Sequence, residues 1–282
     1  MKKVANKKRN LPIFGEYIYR GYFLKEADLM NESYKEKIKR LRPIDDKFMT
    51  ILMSDKEVVQ ELIDVIHDTH ETILHNETQK HINNLLGRSV RYDIFLQTDN
   101  CYIDIEMENS EKRATPKRVR LYSSLMDATI TYPRQEFDTI DDSEIIFITE
   151  NDVMGDGLQV YHVDNIIRET KKPYDDGRRI TYINASADVD NAIGRYMKDI
   201  KCSHPDDIYH KVLRKKTKYY KEDEEGENFM CAIWDEVKEE GKAEGVAEAK
   251  KQIIKNLIDE GFNLERIAKL CSMSVENIKL LI

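Results

Sequence analysis

Apolar side chains recur at helical spacing in "DDKFMTILMSDKEVVQELIDVI": Phe48, Ile51 and Leu52, then Val58, Val59, Leu62, Ile63 and Ile66. This pattern predicts two amphipathic helices. Asp55 stands where a short acidic side chain can accept from the free amides that open the second. After Gly87 the period falls from about 3.6 to 2. In "VRYDIFLQ", Tyr92, Ile94 and Leu96 fall on one face and Asp93, Phe95 and Gln97 on the other. In "CYIDIEME" the apolar positions are Cys101, Ile103, Ile105 and Met107, so two adjacent strands joined by a turn are predicted. A helix from about Pro116 to Ala128 follows, with Val119, Tyr122, Leu125 and Met126 inward. Strands are then predicted at "EIIFITE", "LQVYHVDN" and "RITYINA". Alternating sheet and helix place the chain in the α/β or α+β class.

The ends differ in character. Residues 1–42 read as a basic, aromatic arm in which "ESYKEKIKRLRP" forms a short helix that stops before Pro43. Residues 206–234 form a charged linker or helix, and residues 235–282 a helical tail. In the tail Gly241, Gly245 and Ala249 lie four apart and precede an apolar stripe of Ile253, Ile254, Leu257 and Ile258. Such a surface suits close helix approach, so a homo-oligomer through these C-terminal helices is expected. Two short helices close the tail, with Asn263 and Ser274 as caps and Ile267, Ala268, Leu270, Val275, Ile278 and Leu281 as their apolar face.

Composition narrows the setting. The chain has 282 residues, 40% hydrophobic and 35% charged, enough for one large core with appendages. A net charge of −8 argues against coating nucleic acid by bulk charge, so any polyanion site must be local. Cys101, Cys202, Cys231 and Cys271 form no ligand pattern, which fits a reducing, cytoplasmic setting. No apolar run is long enough to span a bilayer, so no membrane partner is expected.

The hairpin carries the candidate chemistry. A two-residue turn at Asp99-Asn100 would set Asp93 directly opposite Glu106, whereas a three-residue turn would send Glu106 to the other side. Asp104 and Glu108 share the face of Glu106 in either register. Carboxylates crowded on one face repel unless a cation neutralises them. A hard divalent ion is the natural guest, because Mg²⁺ takes oxygen ligands and is held by one or two carboxylates with substrate phosphate. Bound there, it would lower the pKa of a water and screen a phosphodiester under attack.

Asp93, a short turn and "IDIEME" resemble the motif of the PD-(D/E)xK nucleases, specifically the transposase-related, recombination-promoting nuclease family of bacteria. "DDKFMTILMSDKEVVQELIDVI" is similar to that family's opening helices, and "TPKRVRLYSSLMD" to the basic helix after its motif strand. "IIFITENDVMGDGLQVYHVDN" and "DDGRRITYINA" resemble its later strands. The resemblance implies an α/β restriction-endonuclease-like core over residues 43–205, a central mixed sheet flanked by helices. It implies a metal-dependent DNA endonuclease, a hydrolase that promotes recombination in a mobile element, with DNA as partner. Asp93 and Glu106 become ligands of Mg²⁺ or Mn²⁺. Glu108 falls where the wider family has lysine and this branch commonly glutamine, so it adds negative charge where a phosphate must approach. Lys117 or Arg120, three apart on the following helix, is expected to supply the missing cation, and Arg118 to hold a DNA phosphate by forked bonds. The alternative is a catalytically degenerate DNA-binding or assembly protein.

Other features carry less. Glu61 could add a carboxylate to the site. His67, His70 and Glu71 could share a helix face as zinc ligands, although a polar helix end explains them equally well. "GDG" around Gly155 reads as a turn. "YHKVLRKKTKYYKEDEEGE" interleaves basic residues with tyrosines, as a surface that tracks a nucleic-acid backbone would, and then turns acidic at Glu222.

Overall fold

The computed structural model describes residues 34–84, 87–108 and 114–281. The rest of the N-terminal arm, with Lys112 and Arg113, lies outside the described residues. The chain divides into two compact units, one spanning Glu36–Asp223 and another whose described part is residues 34–35 and 224–281. The first unit is α/β, a six-stranded mixed sheet flanked by helices.

A helical stretch at residues 34–40 precedes helices α1 (Asp46–Met53) and α2 (Lys56–His67), and Asp55 caps α2 by accepting from Glu57 N. Their buried residues, Phe48, Met49, Leu52, Val58, Val59, Leu62 and Ile63 among them, follow the 3.6-residue period. Strands β1 (Ile73–Ile82), β2 (Val90–Thr98) and β3 (Cys101–Glu108) form an antiparallel meander. Helix α3 (Pro116–Ile130) then crosses to β4 (Asp142–Thr149), which pairs parallel with β3. Strands β5 (Val160–Val163) and β6 (Arg178–Asn184) complete the order β1-β2-β3-β4-β6-β5. Helices α4 (Ala192–Asp199) and α5 (Lys211–Glu222) end the unit.

The β2–β3 turn holds two residues, Asp99 and Asn100, fastened by Thr98 Oγ1 accepting from Asn100 N (3.2 Å) and Cys101 N (3.0 Å). Pairing then runs Leu96 with Ile103, Phe95 with Asp104 and Ile94 with Ile105. Strict alternation breaks one step beyond. Tyr92 and Phe95 lie on the same side, their rings stacked 6.0 Å apart, where Tyr92 was expected with Ile94. Opposite the break, Gln79 of β1 takes a left-handed φ of 55°, so both strands kink together and Asp93 sits at the kink.

Helix α3 starts where Thr115 accepts from Arg118 N and Pro116 presets the first turn. Its buried Val119, Tyr122 and Met126 cover Tyr92, Phe95, Ile145, Phe147 and Tyr182. Ring centroids in this layer lie 5.5 Å apart for Tyr92 and Tyr122 and 5.6 Å for Phe147 and Tyr182. Each such ring removed from water is worth about 2–3 kcal/mol, so this layer fixes α3 against the acidic stretch of β3.

In the second unit, α6 (Glu224–Asp259), α7 (Leu264–Cys271) and α8 (Val275–Leu281) meet around fully buried Ile254, Ile267 and Ile278. Asn263 caps α7 through Arg266 N, and Ser274 accepts from Asn277 N. No helix among the described residues is long and apolar enough to cross a membrane.

Candidate functional site

The two-residue turn carries the β2–β3 register through to Asp93 and Glu106, where side chains replace the backbone ladder. Asp93 N donates to Glu106 Oε1 (3.0 Å) and Met107 N donates to Asp93 Oδ2 (3.3 Å). Gln79 Nε2 donates to Asp93 Oδ1 (3.2 Å) and to Thr50 Oγ1 (3.3 Å), so the kinked residue of β1 also holds the acid. The turn is the short alternative, the one that sets Asp93 opposite Glu106 in register.

The acids lie deep. Asp104, Glu106 and Glu108 are 0%, 1% and 8% exposed, because α3 covers the face on which they alternate. Burial, and then the negative charge of Asp93, push Glu106 up to about 8. Burial also raises Asp93, and Asp104 still further. Among the described residues, Asp104 has no hydrogen-bond partner on either carboxylate oxygen.

Arg118 is the cation at this cluster, in place of the expected Lys117 or Arg120. Its Nη1 donates to Glu108 Oε2 (2.8 Å), and its Nη2 pairs with Glu106 Oε2 and donates to the Tyr122 hydroxyl (3.1 Å). The guanidinium carbon lies 4.9 Å from the centroid of Tyr122 and 5.4 Å from that of Phe147. The cause is helix phase: Arg118 and Tyr122 are one turn apart beside the buried stripe, whereas Lys117 and Arg120 point to solvent. Arg118 also lines a cavity of about 830 Å³ with His81, Arg88, Arg91 and Lys117. Five basic side chains thus wall a space that adjoins Glu106 and Glu108 through one shared arginine.

The remaining expectations fall elsewhere. Glu61 is not at the site; it accepts from Val212 N (3.2 Å) and Leu213 N (3.0 Å), the free amides that open α5. His67, His70 and Glu71 share no helix face, since α2 ends at His67 and Asp68 turns left-handed. Instead His67 Nδ1 meets Glu71 Oε1 (2.9 Å) and Nε2 lies 3.2 Å from Glu144 Oε2 on β4. Thr181 Oγ1 donates to the other oxygen of Glu144 (2.8 Å), and Arg179 Nε lies 3.4 Å from Oε2. Sequence reasoning passed over this cluster and over Gln79. The available signal was Glu144, a lone charge opening the apolar run "IIFI". The turn around Gly155 is tied by Asp152, which accepts from the amides of Met154, Gly155 and Gly157.

Comparison with family models, curated proteins and solved structures returns no match. Among the described residues, no group of three or more His, Cys, Asp or Glu side chains is arranged to hold a metal ion. Asp93 and Glu106 nevertheless suit a hard cation as a pair. They offer carboxylate oxygens in a cluster that Arg118 contacts at Glu106 and Glu108, and among the described residues Asp104 has no hydrogen-bond partner.

Proposed function

We propose that this chain binds DNA in the basic cavity and hydrolyses its phosphodiesters with Mg²⁺ or Mn²⁺ held by Asp93 and Glu106. The observation that carries the reading is the juxtaposition of neighbouring acids, Glu106 bonded to the Asp93 amide, with a cavity walled by His81, Arg88, Arg91, Lys117 and Arg118. Anionic oxygens are drawn to such a wall, and arginine holds a phosphate by two parallel bonds. The six-stranded mixed sheet flanked by helices is compatible with the α/β core that the resemblance implies. Held by Asp93 and Glu106, such an ion would supply an activated water and charge stabilisation at the attacked phosphate. Asp93 and Glu106 orient the ion, Gln79 and the Met107 amide fix Asp93, and the basic wall positions the backbone. The helical second unit, with Ile253, Phe262 and Leu270 exposed, serves self-association in this reading.

Plasmid nicking in Mg²⁺ and Mn²⁺ tests it, comparing wild type with Asp93→Ala and Glu106→Ala. Metal-dependent nicking lost in both variants is the expected result; nicking that both retain refutes the site. One observation favours a second reading. The ion pair of Arg118 with Glu106 and Glu108 already satisfies part of the acidic cluster, as in a degenerate protein that binds DNA without cutting it. Wild type that shifts DNA on a gel but never nicks it, with activity gained on Glu108→Gln or Glu108→Lys, would establish that reading.

A further inference from the structure

We propose that Arg118 is a two-station switch that couples metal binding to DNA binding: it is counter-ion to Glu106 and Glu108 in the free protein and phosphate ligand in the complex. The inference rests on the reading of this site as a metal-dependent nuclease and concerns its regulation. Two independent observations meet in one side chain. Its guanidinium spans Glu106 and Glu108 and touches the Tyr122 hydroxyl. The same side chain is 26% exposed and forms part of the wall of the basic cavity, where Arg88, Arg91, Lys117 and His81 draw an anion in.

Competition supplies the coupling. A divalent ion on Glu106 must displace the guanidinium that the carboxylate already holds, because the two cations repel at contact. A phosphate in the cavity offers that guanidinium a forked anionic partner of equal chemistry. Moving Arg118 to the phosphate removes its guanidinium from Glu106, and a metal on Glu106 releases Arg118 to the phosphate. Each ligand therefore favours the state that the other needs, and the coupling is reciprocal. The aromatic faces of Tyr122 and Phe147, at 4.9 and 5.4 Å, support the guanidinium at its acidic station.

The test is Mn²⁺ binding to the full chain, followed by electron paramagnetic resonance, with and without a short DNA duplex in which phosphorothioates block cleavage. Wild type is expected to bind Mn²⁺ about tenfold more tightly with the duplex than without it, within the usual range of coupling between sites. Mn²⁺ should tighten duplex binding by the same factor. Arg118→Met should bind Mn²⁺ without DNA about as tightly as wild type does with it, and the coupling should vanish. Arg118→Lys, which keeps the charge but cannot fork, should fall between them and guards against a misfolded methionine variant. Equal Mn²⁺ affinity in wild type and both variants, with or without duplex, overturns the switch while leaving the metal site standing. No Mn²⁺ binding by any of them overturns the metal reading itself, and the switch with it. Binding that survives Glu106→Gln in the Arg118→Met background shows that the ion lies elsewhere and likewise overturns both.

Discussion

Asp104 is expected to cost the protein stability, and its replacement by leucine to restore some. The side chain is fully buried, pairs across the sheet with Phe95 and Ile145, and has no partner on either oxygen. A buried polar group without a hydrogen bond costs about 1–3 kcal/mol. Leucine has the same branched outline, so Asp104→Leu removes that cost and adds apolar contact with little change of shape, for a net gain of about 2 kcal/mol. For a unit of this size the melting temperature should rise by roughly 4–8 °C. Asp104→Asn keeps two polar atoms in the same place and should change stability by less than about 1 kcal/mol. Urea unfolding and calorimetry of the three proteins in chelator, at one pH, measure both. A leucine variant that loses stability while the asparagine variant keeps it would refute the reasoning, because Asp104 would then be bonded to a water or cation that rewards a polar group.

His67 should make stability fall as pH rises. Its partners Glu144 and Glu71 raise its pKa, so the protonated clasp is fully present below the unfolded value near 6.5 and is lost through the higher folded value. Glu144 is shifted down, despite burial, by His67, which sets the acid edge of the same window. His67→Gln should cost about 2 kcal/mol near pH 6 and flatten the pH profile of urea unfolding on its alkaline side. Lys221, 2% exposed, donates to the carbonyls of Lys39, Leu41 and Ser203. Lys221→Met leaves all three unpaired and should cost about 2–4 kcal/mol, with faster amide exchange across residues 38–42. Gly194→Ala would place a Cβ 1.8 Å from Val189 O, backbone that cannot yield cheaply, and should lower stability by about 3 kcal/mol in the same assay.

The strands with strong period or dense β-branched residues were legible, and so was the hairpin, although its register was not, because one residue more in the turn would reverse every side chain. Strand β1 was not legible. "ILHNETQKHI" is an edge strand, mostly polar, and its left-handed Gln79 erases the alternation that would announce it. Alternation placed Asp104, Glu106 and Glu108 on one face but was silent on whether that face meets solvent. Helix α3 decides that, and it is fixed by ring contacts with β2, β4 and β6. The same packing sets the rotation of α3, so a correct helix start at Pro116 still selected Lys117 and Arg120 over Arg118. Glu61 looked like any helix glutamate, since its partners stand about 150 residues along the chain.

The departure at Glu108 takes a different meaning once Arg118 is placed. The family that this hairpin resembles carries lysine or glutamine at that slot, and a glutamate there reads as a lost cation. Yet Arg118 sits against Glu108 at 2.8 Å, so positive charge is present in the cluster but arises from a helix instead of a strand. The two sources differ in freedom. A strand side chain is aimed by the pleat, whereas Arg118 comes from the first turn of α3 and also lines the basic cavity. In the proposed switch, Glu108 is the acidic station that holds this cation at the carboxylates until a phosphate competes for it. A lysine at 108 would repel Arg118 from that place, so the glutamate and the arginine suit each other there.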